Sequence, residues 1–119
     1  MGVENQPIGI HIILDGYEIL PERLTDAARL AQALTDAAQA AGMTPLSEPS
    51  MHLFPGGGLT AFLPLAESHL ALHTYPEHGY IAADCFTCGM PDGADRAVAV
   101  LCAALGQGRF DIRRLERGR

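Results

Sequence analysis

Residues 66–73, Ala-Glu-Ser-His-Leu-Ala-Leu-His, set an acid, a hydroxyl and two imidazoles into a stretch that otherwise reads as a buried strand. These are the groups of nucleophilic and acid–base chemistry. Strand alternation places Ser68, Leu70 and Leu72 on one face and Glu67, His69, Ala71 and His73 on the other. A straight strand therefore keeps Ser68 and His73 apart. Bringing them together requires a bend or bulge near Glu67-Ser68, a device often found where a side chain is re-aimed beside an active site. The same residues also fit a strand with two satisfied histidines and a solvent-facing Glu-Ser corner.

Two further features bear on chemistry. The chain contains no lysine, its cationic side chains all being arginine, so it cannot hold pyridoxal phosphate as a lysine Schiff base. Cys85-Phe86-Thr87-Cys88 forms a Cys-x-x-Cys that invites a metal or redox reading, with His69, His73 or His78 as further zinc ligands. Against that reading, the pair falls in an expected strand, where its members point to opposite faces, and redox pairs prefer a helix N-terminus. Cys85 is expected as a buried small side chain, and no metal site is expected.

The run from Leu59 to Gly89, with Glu67-Ser68-His69, then His73-Thr74-Tyr75-Pro76-Glu77, then Gly79-Tyr80 and Phe86-Thr87-Cys88-Gly89, closely resembles the core signature of the small prokaryotic S-adenosylmethionine decarboxylases. Gly9-Ile10-His11 also suits that family's first strand. The resemblance implies a pyruvoyl cofactor made from the chain itself. The hydroxyl matching Ser68 attacks the carbonyl of Glu67, a base matching His73 removes the serine α-proton, and β-elimination leaves a dehydroalanine that hydrolyses to pyruvoyl. The chain is then cut between Glu67 and Ser68, and strain at that junction would assist the attack.

In the mature enzyme implied by the resemblance, the substrate amine condenses with the pyruvoyl ketone, the carboxylate leaves, and Cys88 returns a proton to the former α-carbon. Phe54 and His73 match the residues that sandwich adenine, and Glu77 the acid that holds the ribose hydroxyls. The product is the aminopropyl donor for spermidine synthesis. The sequence departs from the family pattern at Tyr75, where tryptophan is usual, at Thr60, where a processing serine is commoner, and at the turn Pro55-Gly56-Gly57-Gly58. Tyr75 and that turn line the expected pocket. They leave a second substrate class, ornithine or arginine, and a non-cleaved binding homologue as alternatives.

The elements that must position these residues follow from periodicity and punctuation. Strands are expected at about 8–14, 45–54, 59–66, 68–74, 79–86 and 109–115. Helices are expected at about 22–41, ended by Gly42, and at about 92–105, opening after Pro91 with Asp92 as cap and stopping at Gly106. Two alanine-rich helices and a mainly antiparallel sheet make a two-layer α+β sandwich with the helices on one face. One sheet face then lacks cover, and self-association is the expected remedy; the resemblance likewise implies a homodimer with sites near the interface.

Composition sets the bounds. At 119 residues and 48% hydrophobic, the chain suits one domain spanning residues 1–119. A net charge of −6 argues against a nucleic-acid surface and favours a cationic ligand such as a sulfonium. Arg109, Arg113, Arg114, Arg117 and Arg119 read as a solvated strand end and tail. No basic segment followed by an apolar block opens the sequence and no apolar run approaches ~20 residues, so a cytoplasmic protein without membrane contact is expected. Three cysteines are accordingly read as thiols.

Overall fold

The computed structural model describes residues 6–88 and 92–118, so Gly89 and Pro91 lie outside the described residues. Alternation dominates the strands. In β1 (Gly9–Tyr17), Ile10, Ile12 and Leu14 are buried, while His11, Ile13, Asp15 and Tyr17 face the other way and are only partly covered. The same two-residue period runs through β3 (Leu59–Leu65), β4 (Ser68–Tyr75) and β5 (Tyr80–Thr87). With β2 (Ser50–Leu53) and β6 (Arg109–Arg117), they form one antiparallel sheet in the order β2-β3-β4-β5-β1-β6.

The inward residues of the sheet meet two amphipathic helices, α2 (Ala27–Ala40) and α3 (Gly93–Leu105), which follow the short α1 (Pro21–Thr25). Ala33, Ala37 and Ala38 of α2 and Ala94 and Ala97 of α3 are buried, and their small side chains let the helix backbones lie close to each other and to the sheet. The expected two-layer α+β sandwich with helices on one face is the observed architecture. No helix among the described residues is long and apolar enough to cross a membrane.

Three boundaries depart from expectation. The single helix expected at 22–41 is broken at Asp26, whose backbone leaves helical geometry (φ −86°, ψ 92°) so that its carboxylate can accept from Arg29 N at 3.1 Å and cap α2. The strand expected at 45–54 keeps only Ser50–Leu53 and an isolated bridge between Pro45 and Leu65. Pro45 and Pro49 lack the N–H that a continuous ladder needs. Asp92 precedes α3 but makes no capping bond; its carboxylate pairs instead with Arg96 at 2.6 Å.

The arginines of β6 are exposed, as expected of a solvated strand end, and three of them also make contacts; Arg119 lies outside the described residues. Arg109 lies 4.4 Å over the Tyr17 ring, Arg114 is 3.5 Å from Asp95, and Arg117 reaches His11.

One buried hydroxyl ties the layers together next to the cleft described below. Thr74 Oγ1 donates to the Leu24 carbonyl at the end of α1 (2.8 Å) and accepts from Leu59 N at the start of β3 (3.0 Å). Replacing it with the isosteric valine leaves a buried carbonyl and a buried N–H unpaired. Thr74→Val is expected to lower unfolding free energy by about 2 kcal/mol in urea titrations, with Thr74→Ser largely preserved. A loss below about 0.5 kcal/mol would mean that this tie contributes little.

Candidate active site

The hairpin between β3 and β4 has a two-residue turn, Ala66-Glu67, closed by the Leu65–Ser68 pair. Favoured two-residue hairpin turns place φ > 0 at the first central residue or at both. Here the second, Glu67, is left-handed (φ 59°) while Ala66 is not. A non-glycine residue in that region costs roughly 1–2 kcal/mol. The strain sits on the residue whose carbonyl carbon precedes Ser68. The turn is held from outside, since Ala66 N donates to Thr44 O at 3.0 Å.

Around this junction the side chains converge. Ser68 Oγ donates to Thr87 Oγ1 at 3.1 Å, an arrangement made by the Ser68–Thr87 pairing of β4 with β5. Cys88, one residue past β5, directs its thiol at both the Glu67 carbonyl oxygen (3.4 Å) and the Glu67 carboxylate (3.2 Å). The bond to the Glu67 side chain, followed by burial and by repulsion from that carboxylate, holds the Cys88 thiol above the usual thiol range. It is a neutral acid at physiological pH. A thiol donor on a strained carbonyl, beside an oriented hydroxyl, favours nucleophilic attack at that carbonyl.

The second group of residues lies at the far end of β4. Thr60 and His73 are cross-strand partners, and Thr60 Oγ1 lies 2.9 Å from His73 Nδ1. When Nδ1 carries the proton and donates to Thr60, Nε2 presents a lone pair, the state a general base needs. Both line a cavity of about 460 Å³ together with Phe54, Tyr75 and Glu77.

The cavity's outer wall is the turn Pro55-Gly56-Gly57-Gly58, where Gly56 and Gly57 are left-handed (φ 93° and 98°) and Gly58 passes so close that a Cβ would lie 2.9 Å from Thr74 O. Phe54 is 48% exposed at the rim, its ring 4.6 Å from that of His52.

The structure thus gathers Glu67, Ser68 and Cys88 at one end of β4, and Phe54, Thr60, His73, Tyr75 and Glu77 at the other. It does not bring Ser68 to His73. The bulge that would have joined them is missing: β4 pairs continuously from Ser68 to Tyr75 with β5, and from Ser68 to His73 with β3. Five residues of strand separate the two by about 17 Å, on opposite faces.

Cys85 faces the core, where burial pushes its thiol up to about 12, so the Cys-x-x-Cys forms no shared site. Thr87 was not singled out by its sequence; its pairing with Ser68 depends on register across 19 residues.

Comparison with known proteins gives the fold and the family. The two-layer domain superposes on the crystal structure of the adenosylmethionine decarboxylase from Aquifex aeolicus with a TM-score of 0.88 at 32% identity, covering 96% of this chain and 93% of that one. Residues 10–118 match the family model described as S-adenosylmethionine decarboxylase, and the chain belongs to that family.

Relatives include the S-adenosylmethionine decarboxylase proenzymes of Parasynechococcus marenigrum, 43% identical over 92% of this chain and 85% of that protein, and of Symbiobacterium thermophilum, 41% identical over 92% and 83%.

The contact between Cys88 and Glu67 makes a direct prediction. In a Ser68→Ala background, Cys88 should react with iodoacetamide more slowly at pH 8 than a free thiol does, because its raised pKa leaves less thiolate. Glu67→Gln removes the repelling charge and is expected to speed the reaction several-fold, read by mass spectrometry of the Cys88 peptide. Equal rates would contradict the assigned contact.

Proposed function

We propose that this chain is the proenzyme of a pyruvoyl-dependent S-adenosylmethionine decarboxylase that cuts itself between Glu67 and Ser68 and acts as a homodimer supplying aminopropyl groups for polyamine synthesis. The observation that carries the reading is the Glu67-Ser68 junction, with its left-handed Glu67, thiol-bonded carbonyl and oriented serine hydroxyl. The names of the similar proenzymes support the substrate, and the acidic balance of the chain suits a sulfonium cation.

Maturation on these residues balances as follows. Ser68 Oγ adds to the Glu67 carbonyl carbon and the amide C–N bond breaks, giving an ester and a free amine. An imidazole takes the Ser68 α-proton, and elimination expels the Glu67 carboxylate as the new C-terminus. The dehydroalanine left at position 68 tautomerises and takes up water, and ammonia departs.

His73 is the base in this reading, with Thr60 fixing its Nδ1. Because His73 and its own Ser68 lie about 17 Å apart along β4, the base that serves one junction comes from a second copy. Helices cover one sheet face. The other presents Ile13, Phe62, Phe86 and Leu115, with Phe62 and Leu115 both 42% exposed, and a second copy supplies the cover. A two-fold stacking of these faces sets one end of β4 against the opposite end of its partner.

A pyruvoyl group at position 68 would supply the electron sink needed for loss of the substrate carboxylate. Phe54 and His73 offer aromatic faces for adenine, Glu77 accepts from the ribose hydroxyls, and the neutral thiol of Cys88 delivers the proton that replaces the carboxylate. Tyr75 closes the cavity beside Glu77.

Intact-mass spectrometry of the purified protein, with and without borohydride, tests the reading. The expected result is two fragments, residues 1–67 and 68–119, with a reducible carbonyl on the second and carbon dioxide released from S-adenosylmethionine. Ser68→Ala is expected to stay whole. A wild-type chain that also stays whole and is inert to borohydride would overturn the reading, and release from ornithine or arginine instead would reassign the substrate.

A further inference from the structure

The residue after the cut, His69, belongs to a cluster that the chemistry above does not use. His11 on β1, His69 on β4 and Asp84 on β5 project from neighbouring strands onto the open sheet face. His69 Nε2 lies 2.7 Å and His11 Nε2 2.8 Å from the same oxygen, Asp84 Oδ2. Both histidines pair across the ladder with Phe86, two positions along from Asp84, so each leans diagonally onto the carboxylate.

Arg117 fixes the protons in this cluster. Its Nη1 lies 3.0 Å from His11 Nδ1, and a guanidinium only donates. His11 Nδ1 therefore accepts, the ring proton sits on Nε2, and that N–H donates to Asp84. Two imidazole nitrogens and a carboxylate oxygen within 4.8 Å of one another also have the makings of a cation site. A protonated Nε2 is no ligand, however, so Arg117 favours the hydrogen-bonded chain. The His69 ring is held further by near-parallel stacking on Phe62 (5.8 Å between centroids, 27°) and Phe86 (6.4 Å, 27°).

We infer that Asp84, backed by His11 and Arg117, is a positioning residue for the group formed at Ser68, acting through His69. The inference rests on the self-cleaving decarboxylase reading above. Before cleavage, residue 68 is tethered on both sides; afterwards it is a chain terminus, and termini fray unless tied down. What then places its carbonyl is the peptide bond to His69. A His69 side chain fixed by Asp84 and by the two phenylalanine rings prevents β4 from peeling back from β5 at its first residues.

The test compares Asp84→Ala, Asp84→Asn and His11→Ala with Val98→Ala, a core change in α3 that lowers stability without touching the cluster. In Asp84→Ala, kcat per borohydride-reducible carbonyl is expected to fall by about 10-fold or more, with KM within about twofold of wild type, as for a reacting group held but misplaced. Asp84→Asn keeps an acceptor oxygen and is expected to recover most of the loss, and His11→Ala to show a smaller fall.

Amide hydrogen exchange over residues 69–71, taken also in a Ser68→Ala background so that it reports whether or not a variant matures, is expected to rise in Asp84→Ala and not in Val98→Ala. Exchange and kcat in Asp84→Ala that match Val98→Ala would reduce the cluster to a structural role and overturn the inference. Stoichiometric zinc binding by wild type that is lost in Asp84→Ala would overturn it in favour of a metal site. A wild-type chain that never cleaves would remove the underlying reading as well, whereas a cleaving, active wild type with an equally active Asp84→Ala would sink this inference alone.

Discussion

Strand β4 is hydrogen-bonded along both edges, to β3 and to β5, without a bulge, and this unbroken pairing governs the chemistry available to the chain. A regular strand separates its ends by about 3.3 Å per residue and assigns alternate side chains to alternate faces. The Glu67-Ser68 junction is consequently fixed at one end of the sheet and the Thr60–His73 pair at the other. Each half is preorganised by ladder contacts, and neither can reach the other within one protomer. In the proposed stacking of the sheet on its own copy, the open face with Phe62 and Leu115 is covered and opposite ends of β4 meet.

The junction itself illustrates how local strain is maintained by its surroundings. A left-handed Glu67 in a two-residue turn is unfavourable in isolation by roughly 1–2 kcal/mol. It persists because the flanking residues are locked: Leu65 pairs with Ser68, Ala66 is bonded to Thr44, and Leu46 to Pro64. The thiol of Cys88 then lies against the same residue's carbonyl and carboxylate, kept protonated by the company of Glu67. Strain, electrophile, nucleophile and acid are thereby concentrated within three side chains and one turn.

Much of this was legible in the sequence because it depends on short-range rules. Two-residue alternation located β3, β4 and β5 to within a residue or two, glycine and proline marked their turns, and the ordered polar residues of 54–88 carried the family resemblance. What escaped depended on competition or on distance. The helix start at 22–41 lost to Asp26, whose carboxylate gains more as a cap than its backbone would in a continued helix. The strand at 45–54 lost to two prolines. Joining Ser68 to His73 within one chain requires a bend or bulge, and regular pairing on both edges of β4 leaves no place for one; the plain strand that the same residues also fit is the one that forms. His11, Asp84 and Arg117 were invisible as a group because their contact needs the register of β1 against both β5 and β6, across 73 and 106 residues.

The most direct test of the two-copy site is complementation between separately disabled chains. Differently tagged Ser68→Ala and His73→Ala proteins are co-expressed, and the chain that retains Ser68 is followed by intact mass. Each protein alone should remain uncleaved. In the mixture, the His73→Ala chain should be cut after Glu67, because its Ser68 meets an intact His73 supplied by the other copy. A His73→Ala chain that stays whole in a demonstrated mixed dimer, or one that is cut just as well on its own, would contradict the two-copy site.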